Sequence, residues 1–378
     1  MKFVSVVGTR PNFMKLAPLA RAFSARPDVE HVVVHTGQHY DAVMSDAFFR
    51  DLGLAAPKHS LAVGSGSHAA QTAAVLSRIE PVLEAERPDL VLVFGDVNST
   101  VAAALAAAKM NIPVAHVEAG LRSRDRTMPE EINRLVTDQL SSLLFTPSAD
   151  AFDNLRAEGV PAEKIHFVGN IMIDELMRAL PAVRALNVPA KYQLEGKRYI
   201  VATLHRPSNV DDPGTLRELV DALAELGRDR PVLFPVHPRT RAHMRSLGIE
   251  ETGGGALRLL DPVGYSDMLG LVASAELVVT DSGGLQEETS FLGIPCLTAR
   301  PNTERPITCT HGTNRLVFSE RAAIVRAAHE ALALRGVARP PIARWDGRTA
   351  ERIAAVLCDG ASFEGEPQEQ LAASAFRA

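Results

Sequence analysis

Short runs of Val, Leu and Ile recur along this chain, each followed by a stretch long enough for a helix. Phe3-Val4-Ser5-Val6-Val7, Asp89–Phe94 and Pro113–Val117 are runs of this kind, bounded by Gly, Pro or polar residues. Each reads as a strand buried on both faces. The segments at about 11–25, 69–86, 97–109 and 129–140 read as helices. Continuous apolar strands alternating with helices specify a parallel sheet covered on both sides. The pattern restarts with strand candidates at 199–203, 232–234, 257–260 and 277–279. Helices are expected at about 213–227, 240–246, 266–273, 284–292 and 318–335. Between the two series, residues 180–196 are weakly patterned and carry two prolines, which places a boundary there. A chain of 378 residues is too long for one ordinary core, so two domains fit. The predicted class is α/β, with two Rossmann-like doubly wound domains facing a cleft. In such sheets ligands sit beyond the carboxyl ends of the strands.

Composition removes several functions. Lys and Arg total 40 against 45 Asp and Glu, a net charge of −5, which argues against a broadly basic nucleic-acid binder. The three cysteines form no ligand spacing and fit a reducing compartment. No apolar run reaches the roughly 20 residues of a membrane span, and Phe3–Val7 is too short for a signal-peptide core. A cytoplasmic protein without membrane partners is expected.

Nearly every unusual polar cluster follows a strand candidate. In Gly8-Thr9-Arg10-Pro11, with Lys15 beyond, two cations stand near a helix start that is already positive, a placement an anionic ligand would explain. Asp96 follows Gly95 and reads locally as a helix N-cap, while its place at a strand end keeps a catalytic role open. Alternation puts His116 and Glu118 on one strand face. His116-x-Glu118 matches half of a zinc-deaminase signature, but the Pro-Cys-x-x-Cys half is missing and that reading is rejected. Pro129-Glu130-Glu131 suits a first helical turn. If Asp96, Glu118 and Glu130 converge, they raise one another's pKa and can transfer protons near neutrality.

In the second half, His205-Arg206 offers an acid/base group or a phosphate contact, whereas His237-Pro238-Arg239 reads as structural. Asp281-Ser282-Gly283-Gly284 joins a strand to a helix. Consecutive glycines let a diphosphate approach the backbone, and a glutamate one turn later can reach a ribose diol. The plain alternative is Asp281 or Ser282 as a cap. Arg305 lies in a polar loop and can meet a phosphate or base.

Taken in order, Gly8-Thr-Arg-Pro11 with Lys15, Gly37-Gln-His39, Gly95-Asp96, His116-Val-Glu-Ala-Gly-Leu-Arg122, Pro129-Glu-Glu131 with Asn133-Arg134, His205-Arg206, Asp281-Ser-Gly-Gly-Leu-Gln-Glu-Glu288 and Thr303-Glu-Arg-Pro306 resemble the non-hydrolysing UDP-N-acetylglucosamine 2-epimerases over residues 2 to 318. The resemblance implies a glycosyltransferase-B-like fold with domains at 1–170 and 171–346. It also implies a C-terminal helix at about 347–360 returning to the first domain and a tail at 361–378. It implies a homodimeric isomerase that interconverts UDP-GlcNAc and UDP-ManNAc with no metal or cofactor. UDP leaves anti to the C2 proton, giving 2-acetamidoglucal, and then re-adds. Asp96, Glu118 and Glu130 would be the proton-transfer groups, and His205 would assist the departing diphosphate. Arg10, Lys15, Ser282, Gly283, Gly284, Glu288 and Arg305 would hold UDP, with Glu288 on the ribose. Many bacterial relatives bind a second UDP-GlcNAc as activator through two glutamines and an arginine. Here Asp41 replaces the second glutamine, which argues against that activation. A hydrolysing relative that releases ManNAc, a glycosyltransferase of the same fold and a non-catalytic nucleotide-sugar sensor are the competing readings.

Overall fold

The computed structural model describes residues 1–38, 52–249, 257–334, 336 and 339–364. Its first sheet holds seven parallel strands: β1 (Lys2–Val7), β2 (Glu30–His35), β3 (His59–Ser60), β4 (Leu90–Phe94), β5 (Val114–Val117), β6 (Leu143–Thr146) and β7 (Ile165–Phe167). They lie in the order β3-β2-β1-β4-β5-β6-β7, with Val6 of β1 opposite Val34 of β2 and Val93 of β4. Helices α1 (Arg10–Ser24), α2 (His68–Glu86), α3 (Asn98–Lys109), α4 (Pro129–Leu140), α5 (Ala149–Ala157) and α6 (Ile171–Ala185) follow or connect them. Val4, Val6, Val91 and Val93 pack with Val75, Ile79 and Leu83 of α2 and with the alanines of α3. Each such aliphatic side chain contributes about 1.5–3 kcal/mol by leaving water.

The second sheet has six parallel strands: β8 (Ile200–Thr203), β9 (Val232–Pro235), β10 (Leu257–Leu260), β11 (Leu277–Thr280), β12 (Cys296–Ala299) and β13 (Asn314–Val317). Their order is β10-β9-β8-β11-β12-β13. Helices α7 (Pro213–Leu226), α8 (Pro238–Ser246), α9 (Tyr265–Ala273), α10 (Gly283–Leu292) and α11 (Arg321–Ala333) accompany it. Ile200 and Ala202 belong to one core cluster, while Tyr199 and Val201 belong to another. That period-two division means apolar layers cover both faces, as the unbroken apolar strands require.

The chain divides into two compact units, Met1–Glu175 with the described residues from Ala343 on, and Leu176–Ile342. The division falls inside α6. In the first unit the final helix, α12 (Thr349–Asp359), packs against α1. Arg26 grips Asp359 through two hydrogen bonds of 2.8 and 2.7 Å. Buried Asp174 accepts the Thr349 and Ala350 amides at the start of α12, and burial pushes its carboxyl up to about 6. Trp345 donates to the Pro147 carbonyl at 2.9 Å. None of the described helices is long and apolar enough to cross a membrane.

Both sheets have the same topology. Counted within its own unit, each reads 3-2-1-4-5-6, with one further strand beyond the sixth in the first unit. Connections therefore leave in opposite directions on either side of the first and fourth strands. The carboxyl ends of β1 and β4, and of β8 and β11, are the two switch points where doubly wound sheets open a crevice.

Candidate active site

The polar clusters singled out in the sequence gather at these two switch points. In the first unit, Gly8 and Thr9 leave β1 and their amides donate to Asn12 Oδ1 at 3.1 and 3.2 Å. Asn12 Nδ2 reaches across to the Phe94 carbonyl at the end of β4, at 3.0 Å. Arg10 is exposed in the first turn of α1. Lys15 is buried and forms an ion pair with Glu118. The two-cation puzzle of this helix start thus has a partial answer inside the protein: Glu118 balances Lys15. Gly95 makes room for that pair. Its φ is +63°, and a Cβ there would stand 2.7 Å from Lys15 Nζ.

Asp96 does not cap α3. The N-cap position is Val97, and the Asp96 carboxylate instead pairs with Arg134 of α4. Asn133 of the same helix donates to the Asp96 carbonyl at 2.9 Å. Arg134 is held in turn by Glu131, which also accepts the amides of Ser123 and Arg124 at 2.9 Å each. Burial opposes ionisation of Glu131, but the Ser123 amide and Arg134 outweigh it and hold the carboxyl below its usual range. Glu130 is half-buried on the same turn, and no salt bridge reaches it among the described residues.

β5 ends at Val117, and Glu118 adopts φ +76°, left-handed backbone that only over-determined surroundings retain in a residue with a Cβ. Strand alternation therefore stops before Glu118, contrary to the expectation of a shared face. Glu118 meets Lys15, whereas His116 is fully buried between the Gly95 carbonyl (2.8 Å) and Asp138 (2.6 Å). Gln38 Oε1 accepts from the amide and hydroxyl of Ser99, extending the polar edge toward β2. His39 and Asp41 lie outside the described residues.

In the second unit, Asp281 is fully buried at the end of β11. It accepts the His205 and Arg206 amides (3.0 and 2.9 Å), His205 Nδ1–H (2.8 Å) and Asn209 Nδ2–H (3.1 Å). Burial disfavours its charge, yet His205 and these donors keep its carboxyl below the ordinary range. Asp281 thus anchors the β8 exit and is not a helix cap. Ser282 occupies the N-cap position of α10 without a side-chain capping bond, and Gly283 and Gly284 form the first two helical positions. A Cβ on Gly283 would lie 2.6 Å from Arg305 Nη1, whereas one on Gly284 would meet nothing within 4 Å. The helix start is therefore packed on one side and clear on the other. Arg305 is already engaged by Glu304 and by Glu287 (2.8 Å), and Arg300 also binds Glu304. Glu288 is buried one turn into α10, and burial together with neighbouring Glu287 pushes its carboxyl up to about 8. His237 accepts the Arg239 amide and caps α8, the structural role expected of it.

Asp96, Glu118, Arg10 and Lys15 thus stand at the switch point of the first sheet, and Glu130 lies on the first turn of α4, the helix whose Asn133 and Arg134 hold Asp96. His205, Ser282, Gly283, Gly284, Glu288 and Arg305 share the switch point of the second. Of the partners that hold them, Asp138 carried no sequence signal, and Arg134, Glu131, Asp281, Glu287 and Glu304 stood in the motifs without showing what they pair with; the Arg134–Asp96 and Asp281–His205 contacts join residues far apart in the chain.

A family model described as UDP-N-acetylglucosamine 2-epimerase matches residues 21–358. The UDP-N-acetylglucosamine 2-epimerase of Methanocaldococcus jannaschii is 41% identical, covering 95% of this chain and 100% of its own. Its crystal structure in complex with UDP-GlcNAc and UDP superposes with a TM-score of 0.88 over the same shares. The UDP-2,3-diacetamido-2,3-dideoxy-D-glucuronate 2-epimerase of Pseudomonas aeruginosa is 44% identical, over 88% of this chain and 92% of its own.

Proposed function

This chain belongs to the UDP-N-acetylglucosamine 2-epimerase family, and on that premise we propose that it inverts C2 of UDP-GlcNAc reversibly and without hydrolysis, giving UDP-ManNAc. The observation that carries the reading is the pair of carboxylates Asp96 and Glu118 at one switch point, each tied to a buried cation, with Glu130 on the helix that holds Asp96. A C2 hydrogen of a pyranose is not acidic. It becomes so as the C1–O bond to UDP weakens and positive charge develops at C1. A carboxylate then takes the C2 proton, UDP departs with the bonding pair, and 2-acetamidoglucal remains. Return of a proton to the opposite face of C2, with re-addition of UDP at C1, completes inversion. Carboxylates on more than one element suit a reaction that needs proton transfer on two faces.

Departure of the diphosphate needs positive potential where negative charge accumulates. The start of α10 supplies backbone N–H groups at Gly283 and Gly284, and the clear side of Gly284 suits close approach of a phosphate. His205, with Nδ1–H fixed on Asp281, keeps Nε2 for the leaving oxygens. Arg10 adds a cation. We assign Lys15 to holding Glu118, and Arg305 to supporting Gly283, in addition to any charge they lend to UDP. Glu288 is assigned to the ribose.

A second substrate reading is favoured by the 44% identity to the diacetamido-glucuronate epimerase. The two differ at C3 and C6, away from the reacting carbon, so the same carboxylates serve either. The test is to incubate the protein separately with UDP-GlcNAc and with UDP-2,3-diacetamido-2,3-dideoxyglucuronate and resolve the products by anion exchange and NMR. UDP-ManNAc from the first is expected. Turnover of the second alone would shift the assignment to that sugar. Free ManNAc with UDP would make the protein a hydrolase.

A further inference from the structure

Two adjacent glutamates open α4 and take different places. Glu130 is half-buried, whereas Glu131 is buried and accepts five hydrogen bonds. Its Oε1 takes the Arg124 amide at 2.9 Å. Its Oε2 takes the Ser123 amide (2.9 Å), the Ser123 hydroxyl (3.0 Å), and Arg134 Nε and Nη2 (3.0 and 2.6 Å). Backbone amides thus reach both oxygens, so the carboxylate is fixed independently of the arginine. An acid in a first helical turn ordinarily complements the free N–H groups of that turn. Glu131 instead sends its side chain back seven and eight residues, to the loop before the helix. Arg124 in that loop has φ +58°, left-handed backbone that a residue with a Cβ keeps only when its surroundings hold it. Glu131 on its amide and Asn154 Oδ1 on its guanidinium supply that hold.

We infer that Glu131 is a positioning residue for proton transfer at C2: through Arg134 it sets where the Asp96 carboxylate stands. The inference rests on the role proposed above for Asp96. Arg134 is buried, and its guanidinium is a rigid planar fork. With Nε and Nη2 both engaged by Glu131, the direction of Nη1 is set, and Nη1 donates to Asp96 Oδ2. Asn133, from the same helix, fixes the Asp96 carbonyl at 2.9 Å. Asp96 itself is half-buried, and no hydrogen bond reaches its Oδ1 among the described residues. The carboxylate is therefore held by one oxygen and keeps the lone pairs of the other. Glutamine in place of Glu131 has one acceptor oxygen where the site presents donors to two, so either the loop amides or Arg134 must let go. Glu131 touches no position assigned to substrate and acts through Arg134, so it is not a catalytic residue.

The test uses Glu131→Gln and Arg134→Lys in the full chain, with Asp96→Glu as the reference for a displaced carboxylate. Glu131→Gln should lower kcat for the UDP-sugar about 10- to 100-fold, the cost of a small misplacement of a reacting group. UDP affinity by calorimetry should stay within about threefold of wild type, as expected for loss of a transition-state interaction only. Lysine at position 134 keeps the charge but cannot hold two carboxylates in a fixed fork, so Arg134→Lys should show a similar fall. Isotope effects separate positioning from general loosening. A carboxylate that serves one face of C2 takes the proton from one epimer and returns it when that epimer is formed. Displacing it should raise the primary isotope effect on kcat with one C2-deuterated epimer and lower it with the other, in the same sense for Glu131→Gln, Arg134→Lys and Asp96→Glu. A folded Glu131→Gln with wild-type kcat would overturn the inference. So would a fall in kcat with isotope effects that move alike for both epimers. If Glu131→Gln does not fold, Arg134→Lys decides by the same two readouts. A wild type that turns over no UDP-sugar would defeat the proposed function and the inference with it, whereas the first two results defeat the inference alone.

Discussion

Asp96 and Glu118 reach the edge of the first sheet already paired, to Arg134 and Lys15, while Glu130 has no salt bridge among the described residues. Asp96→Asn, Glu118→Gln and Glu130→Gln should each lower kcat by about 10²- to 10⁴-fold, the usual weight of a proton-transfer group. UDP affinity measured by calorimetry should change far less. Wild-type rates in all three would remove the proton-transfer assignment. Glu288 offers a test that needs no turnover. Its carboxyl is raised in the folded protein from an ordinary value of 4.5 to about 8. The stabilisation from its protonated form is therefore complete below about 4.5 and is lost as pH rises through about 8. Above that the buried charge is a standing cost, which glutamine removes. The melting temperature of Glu288→Gln minus that of wild type should grow by a few degrees between pH 5 and pH 9. An equal difference at both pH values would contradict the buried-carboxyl account. At this scale the sequence exposed the residues but not their pairings. Lys15 beside a positive helix end suggested an external anion, because Glu118 lies over a hundred residues away and nothing local connects them.

Elements were legible where the apolar run was long and plain. β1, β4, β5, β8 and β11 were all expected, and these are strands that the candidate residues follow. β2, β6, β7, β12 and β13 were not. Glu30–His35 carries a glutamate and two histidines, and the others are only three or four residues long, with Thr, Cys, His or Asn among them. Their positions are dictated by neighbouring strands through register and not by local preference. Asp96 was misread as a cap because a carboxylate before a helix usually is one; the competing ion pair to Arg134 comes from another helix. The start of α10 yields a prediction that separates packing from binding. Gly283→Ala drives a methyl toward Arg305 and should lower unfolding stability by about 1–3 kcal/mol. Gly284→Ala meets open space and removes a poor helix former, so stability should hold or rise slightly. If a diphosphate lies against that backbone, Gly284→Ala should nonetheless weaken UDP binding measurably. Undiminished UDP affinity in Gly284→Ala would argue that the helix start is not the phosphate site.

At the scale of the molecule, two sheets of the same 3-2-1-4-5-6 order place two switch points in one chain, and the candidate residues divide between them. Carboxylates collect in the first unit, and the glycine-rich helix start with His205 collects in the second. The first unit is completed by the chain's last described helix: α12 is fixed by Asp174 at its start and by Arg26 at its end. A chain ending at Arg344 would lose Trp345, α12 and both of these anchors. It should melt at least 10 °C lower or fail to accumulate as folded protein, since several buried contacts are lost together. Retention of the full melting temperature would show that this segment is dispensable. The expectation of two doubly wound α/β domains came from alternation alone. The strand order did not, because it depends on which face each connection crosses.

The central claim is that C2 of a UDP-2-acetamido sugar loses and regains its proton on this protein while UDP is released and recaptured. Incubation with UDP-GlcNAc in D₂O, followed by ¹H NMR, tests it most directly. The account predicts that the C2 proton signal disappears as deuterium enters, accompanied by a new UDP-ManNAc anomeric resonance and, on long incubation, the same deuterium content in both epimers. Formation of UDP-ManNAc with the C2 proton fully retained would contradict the elimination mechanism. An unchanged spectrum for UDP-GlcNAc and for its diacetamido-glucuronate counterpart would contradict the assignment as a whole.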